Sequence, residues 1–166
     1  LQFGLRGENT TVSAESRTSK VNFTRQYFQI FPVISFDYNP SEKNSFQLSY
    51  NRRINRPQYN LFNPYKVFLN LLVTSIGNPY LMPEYSNTYE FTYGFKGKVY
   101  QSLTYYTVSD NLFYYPIQND STKETLHKIS NLKDGKLNIA TYSIFMQKDI
   151  AKWWAVTFNG AVNFNS

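Results

Sequence analysis

The sequence predicts an all-β chain, an antiparallel up-and-down meander of about seven to eight strands that forms an arc of a larger transmembrane β-barrel. Three observations predict it. Apolar and polar residues alternate with period two in most of the chain. The polar positions are mainly Ser, Thr, Asn and Gln, whereas a fully solvated face carries a mixture of Lys and Glu. The connections alternate between long and short, as they do where one rim carries loops and the other tight turns. Composition agrees: among 166 residues, Tyr (15) and Phe (14) each outnumber Leu (13), Asn is commonest at 18 and Ala supplies only 5. That balance disfavours helices and favours strands.

Each element follows from its own pattern. From Leu1 to Glu8, Leu1, Phe3 and Leu5 alternate with Gln2, Gly4 and Arg6, and a long connection over 10–26 follows. In Tyr27 to Tyr38, Ile34, Phe36 and Tyr38 enclose Ser35 and Asp37; Asn39-Pro40-Ser41-Glu42-Lys43-Asn44 then has turn chemistry. From Ser45 to Arg53, Phe46, Leu48 and Tyr50 oppose Ser45, Gln47, Ser49 and Asn51, before a second long connection over 54–84. Tyr85 to Phe95 is the cleanest run, with Tyr89, Phe91, Tyr93 and Phe95 set against Thr88, Glu90, Thr92 and Gly94. Lys96-Gly97-Lys98 turns into Val99 to Asn111, and the third long connection covers 112–135. In Lys136 to Lys148 the apolar parity passes from Leu137 and Ile139 to Tyr142, Ile144 and Met146, which predicts a β-bulge. After a turn at 149–152, the run from Trp153 to Phe164 sets Trp154, Val156, Phe158, Val162 and Phe164 against Ala155, Thr157, Asn159, Ala161 and Asn163. Structureless connections as long as the three long ones are unusual in a compact domain. Segments 64–74 and 112–130 are therefore where a further hairpin would hide, and an eighth strand would come from there.

The same alternation would suit a β-sandwich, whose apolar face meets a second layer. Strand length and chemistry favour hydrocarbon instead. Runs of 9–12 residues match the roughly 9–11 residues a tilted strand needs to cross a bilayer. Aromatic residues such as Tyr38, Tyr50, Tyr89 and Trp154 stand towards the strand ends, as in interfacial girdles. No stretch approaches the roughly 18 apolar residues of a membrane helix. Open sheet edges are not tolerated in lipid, so further strands are expected on both sides, and 1–166 is read as a partial barrel domain without signal peptide or plug.

Much site chemistry is excluded by composition. With no Cys there is no disulfide or thiolate site, and His127 is the single histidine. Phosphate loops, nucleophile elbows and dinucleotide fingerprints do not occur. No enzyme activity, cofactor or metal site is expected. The formal charge of +6 comes from 17 basic residues dispersed over turns and loops, without the stripe that nucleic-acid binding uses; no nucleic-acid partner is expected.

One motif stands out: Ser49-Tyr50-Asn51-Arg52-Arg53-Ile54-Asn55-Arg56-Pro57, a loop, then Gly77-Asn78-Pro79-Tyr80-Leu81-Met82-Pro83-Glu84 before a new strand. A hairpin pairing Arg53 with Glu84 would set Gln47 opposite Glu90, Ser49 opposite Thr88 and Phe46 opposite Phe91, with both faces in agreement. Arg53 and Glu84 would then form a charge-assisted pair at the loop base. Arg52, of the other parity, would point outward with its guanidinium at headgroup level. The prolines fix loop conformation.

In order and spacing this motif resembles the signature of TonB-dependent receptor-like outer-membrane β-barrel proteins; Phe31-Pro32-Val33-Ile34-Ser35 and Lys152-Trp153-Trp154 resemble neighbouring strand starts of that family. The resemblance implies a barrel in the Gram-negative outer membrane and energised uptake of a bulky nutrient, an iron chelate or a glycan. The implied partners are outer-membrane lipid and lipopolysaccharide, the rest of the barrel with its plug, the TonB complex acting through an N-terminal part outside this sequence, and an unidentified small-molecule or glycan ligand. Arg52, Arg53, Arg56, Pro57, Gly77, Asn78, Pro79, Pro83 and Glu84 are the motif residues, with structural roles. Tyr59, Phe62 and Tyr65 are candidate ligand contacts in the loop. The competing readings are a non-transporting structural or adhesion barrel and a soluble carbohydrate-binding sandwich, the latter requiring a layer over Phe46/Phe91 and Trp154/Phe158.

Overall fold

The computed structural model describes residues 1–16, 21–132 and 135–166. Within them the strands are β1 (Gln2–Ser16), β2 (Val21–Ser41), β3 (Asn44–Asn55), β4 (Lys66–Phe68), β5 (Val73–Ile76), β6 (Glu84–Phe95), β7 (Val99–Ser109), β8 (Leu112–Gln118), β9 (Thr125–Asn131), β10 (Lys136–Ala151) and β11 (Trp154–Asn165). A single 3-10 turn, Tyr59–Phe62, interrupts them. Seven strands form one antiparallel sheet in the order β1-β2-β3-β6-β7-β10-β11, the meander the alternation predicts. The other four form a second sheet, β4-β5-β9-β8, built wholly from the two later long connections.

Register explains the faces. Pairs Ile34↔Tyr50, Phe36↔Leu48 and Tyr38↔Phe46 continue into Tyr50↔Tyr89, Leu48↔Phe91 and Phe46↔Tyr93. They run on through Phe91↔Leu103, Leu103↔Tyr142 and Tyr142↔Val162, so one face is apolar across the whole sheet. Rings contact along it, Tyr50 on Tyr89 at 4.9 Å and Tyr89 on Tyr105 at 6.2 Å near the loop end. Nearer the turn end, Phe46 lies 5.1 Å from Tyr93. Among the described residues nothing covers this face: Phe91 is 43%, Trp154 52% and Phe158 56% exposed. The soluble sandwich, which needs those residues sealed, is thereby excluded.

Several tyrosine hydroxyls on the apolar face are bonded within it, which lowers their cost in hydrocarbon. The Tyr142 hydroxyl donates to Gln101 Oε1 at 2.9 Å, that of Tyr50 to Asn87 Oδ1 at 3.0 Å and that of Tyr93 to Asn44 Oδ1 at 2.8 Å. The opposite face is polar, with Thr92 and Ser102 hydroxyls 2.5 Å apart and Ser102 donating to Glu90 Oε1 at 3.3 Å. At the turn end, Lys96 and Gly97 take positive φ (53° and 63°), and Lys98 N donates to Phe95 O at 3.0 Å. Two consecutive left-handed residues make the type I′ turn that suits a twisted hairpin.

Four expectations are corrected. Of the long connection expected over 10–26, residues 10–16 and 21–26 are strand and 17–20 lie outside the described residues: β1 and β2 stay paired from Gln2↔Ser35 to Ser16↔Val21, a hairpin longer than its hydrophobic pattern. The β3–β6 register sets Arg53 opposite Ser86 and Asn55 opposite Glu84, two residues from the expected pairing; the faces agree in both because a shift of two preserves parity. No bulge interrupts β10 between Leu137 and Tyr142; the only shift against β11 falls at Asp149/Ala151, beside the turn. Leu137 instead lies on the polar face opposite Val108, which is buried at 6% exposure. The hairpins at 64–74 and 112–130 exist but add no strand to the main sheet.

Candidate functional site

The buried large apolar residues, Phe31, Leu81, Tyr85, Val108 and Ile129, stand toward the loop end of the sheet or in the connections beyond it. The motif explains why. Gly77 N donates to Asn63 O at 2.9 Å and Asn78 N to Leu61 O at 2.7 Å, so two backbone segments cross in contact. A Cβ on Gly77 would lie 2.4 Å from Leu61 O and 2.5 Å from Asn63 O; only glycine permits this approach. Asn78 Oδ1 accepts from Tyr80 N at 2.9 Å, an Asx turn that Pro79 reinforces, and its Nδ2 donates to Ile129 O at 3.3 Å. The chain then runs through the buried Leu81 and Pro83 before β6 begins at Glu84.

Glu84 holds two segments rather than pairing with Arg53. It accepts from Asn55 Nδ2 at 2.6 Å and from the backbone N–H of Leu112 at 2.6 Å. Asn131 bonds Met82 through both its N–H (2.8 Å) and its carbonyl (2.9 Å), and donates to Asp110 O at 2.6 Å. Strands β5 and β9 add a parallel ladder, Val73↔Thr125 to Ile76↔Lys128. The second and third connections are thus one hydrogen-bonded body. Between them lies a cavity of about 250 Å³ lined by Tyr65, Tyr114, Lys128 and Ile129 among others. Of the three aromatic candidates, Tyr65 lines this cavity, whereas Tyr59 stands 91% exposed on the 3-10 turn and Phe62 is half-buried beside it.

The arginines separate. Arg56 crosses over β2 to bond Glu8 of β1 and, at 3.3 Å, the Thr10 hydroxyl. Arg6 Nε also reaches Glu8, at 2.9 Å. The Arg56 guanidinium, bonded to it, holds the Glu8 carboxyl below the usual carboxylate range. Arg52 keeps the parity of Tyr50, and its guanidinium donates to Gln29 at 3.4 Å and lies over the Tyr85 ring at 5.4 Å. Its Nε is buried without a partner. Arg53 is exposed, and Pro57 half-buried. The sequence signalled the motif; the bridging role of Asn131 and the Glu8 tether carried no sequence signal, being single polar residues in polar runs.

Solved structures show the same fold. The siderophore receptor PirA from Pseudomonas aeruginosa superposes with a TM-score of 0.72 at 13% identity, covering 87% of this chain and 30% of its own. The copper transporter OprC gives 0.70 at 14% identity over 98% of this chain and 26% of its own. The Serratia marcescens hemophore receptor HasR, solved with its hemophore HasA and heme, gives 0.53 at 14% identity over 87% of this chain and 29% of its own. The chain therefore spans under a third of the length of each of these barrels. No curated protein matches it. The apolar face is the wall that meets lipid, the polar face looks into the lumen, and the long connections belong to the extracellular rim. Residues 1–166 match the Outer membrane protein beta-barrel family from end to end, and the chain belongs to that family of the outer membrane.

Proposed function

We propose that this chain forms part of the wall and mouth of a TonB-dependent receptor, one partial barrel domain within a structure that takes up a bulky nutrient. The carrying observation is the union of an uncovered apolar face with a polar lumen face below loops bonded into one body. Such a wall encloses a wet passage, and such loops form a surface that a ligand can meet before it enters. The likeness to a siderophore receptor, a copper transporter and a hemophore receptor supports a chelate-type cargo. Energy would come from the TonB complex acting on a plug, and the motif residues Arg52, Arg53, Arg56, Pro57, Gly77, Asn78, Pro79, Pro83 and Glu84 would hold the mouth in shape. Tyr65 is the aromatic best placed for ligand contact.

The test is growth and uptake on a panel of iron chelates and glycans, in the native host with the gene deleted and, separately, with TonB removed. Loss of the same substrate in both strains is expected. Unchanged uptake with altered envelope integrity or surface attachment contradicts transport and favours a structural or adhesion barrel. That second reading has its own observation, the apolar tip of the β4–β5 hairpin, where Phe68 is 76% and Leu71 96% exposed outside the hydrocarbon.

A further inference from the structure

We propose that a fissure in the wall between β2 and β3 is a binding site for a phosphate- or carboxylate-type anion. The β2–β3 ladder stops at Val33↔Asn51, whereas β3 remains paired to β6 as far as Asn55↔Glu84. Beyond Val33 the strands part. The gap is a cavity of about 490 Å³ lined by Arg6, Phe31, Arg52 and Arg53, with Gly4, Leu5, Val33 and Ile54 completing it. Three arginines and no acidic residue are among the residues that line it.

The charges there are not balanced from within. Glu8, the acid that reaches Arg6, is shared with Arg56. Arg53 makes no hydrogen bond or ion pair among the described residues, and Arg52 Nε is buried and unpartnered. An anion bonded by these side chains gains charge-assisted hydrogen bonds and can supply the partner that the buried Arg52 Nε lacks. Phe31, 2% exposed and 5.2 Å from the Arg6 guanidinium, gives the cluster a rigid floor.

Position along the strand bears on the source of the anion. Arg52 and Arg53 follow Tyr50, part of the aromatic row at the loop end, by two and three residues, about 7–10 Å at the usual strand rise. That is headgroup height, with Arg52 on the lipid-facing parity of Tyr50 and Arg53 on the lumen-facing parity, so a lipid phosphate and a dissolved anionic group are the two sources to distinguish. The site does not depend on the transport proposal.

The experiment uses the barrel purified from outer membranes in detergent, wild type beside Arg53→Gln and Arg6→Gln, with folding verified by heat-modifiable gel migration. Native mass spectrometry reads co-purifying phosphate-bearing lipid, and calorimetry after delipidation reads inorganic pyrophosphate and citrate. Arg53, without an intrachain partner, is the variant least able to disturb folding, and Arg53→Lys retains the charge. Lipid retained by wild type and lost from the Gln variants assigns the site to a headgroup. Binding of the dissolved anions, weakened about tenfold or more in the Gln variants, less so in Arg53→Lys, and weakened by salt, assigns it to a soluble anion. Identical lipid content and identical anion binding in wild type and both Gln variants overturn the proposal.

Discussion

Single residues at the mouth carry constraints that their neighbours cannot share. Gly77 is the sharpest case, because a methyl there collides with backbone oxygens rather than with a side chain able to rotate away. Gly77→Ala is expected to cost about 1–3 kcal/mol, the usual range for overpacking. Hydrogen exchange should then accelerate at 61–63 and 77–78 while β6 and β7 keep their protection. Glu8 gives a pH-dependent counterpart. Its ionised form is the one Arg56 binds, so its folded value lies below the ordinary 4.5. The tether is therefore complete above that ordinary value and is lost as pH falls through the lower folded one. Spin labels at Asn9 and Gln58 should report a distance distribution that is narrow at neutral pH and broadens in acid. Glu8→Gln should be broad throughout; a pH-independent narrow distribution in wild type would count against the tether.

Elements show where pattern and structure part. The lipid-facing parity of β2, β3, β6 and β11 was legible because burial in hydrocarbon writes itself into every second side chain. Beyond the hydrocarbon that writing stops. β1 and β2 continue through Thr10, Thr11 and Ser13, held by backbone bonds that no alternation announces. A long loop joins β3 to β6, so no tight turn pins their register, and Asn55 rather than Arg53 meets Glu84. Leu137 and Ile139 suggested a bulge because apolar residues on a lumen face were unexpected; they stand opposite the buried Val108 and Tyr106, toward the loop end. Of the candidate site, the motif was visible but not its mechanics, since β5 and β9 pair across some fifty residues of sequence. Asn131 tests that coupling. Asn131→Ala leaves Met82 N and the carbonyls of Met82 and Asp110 short of a partner, a loss of about 1–3 kcal/mol if water does not replace it. Exchange should rise in both 78–83 and 110–118. A rise confined to one of these segments would mean that the two connections move independently.

At the scale of the whole molecule, the sheet is a wall with two solvents. The Tyr50 and Tyr142 hydroxyls on the lipid side are bonded to Asn87 and Gln101 within the same face, while the lumen side keeps Glu90, Thr92 and Ser102 in a polar cluster. β1 and β11 end the sheet without a further partner among the described residues, and in a bilayer each such edge needs another strand. The sequence contains no cysteine, so a single introduced thiol is a unique probe of its surroundings. The most direct measurement places one Cys at each position from Tyr100 to Tyr105 of β7 in the outer-membrane barrel. Each labelled site is then tested for quenching by brominated lipid and for reaction with a membrane-impermeant thiol reagent. Quenching by lipid at 101, 103 and 105 with aqueous reactivity at 100, 102 and 104 is the predicted result; the absence of alternation, or its reversal, would contradict a wall with hydrocarbon on its Tyr- and Phe-bearing side.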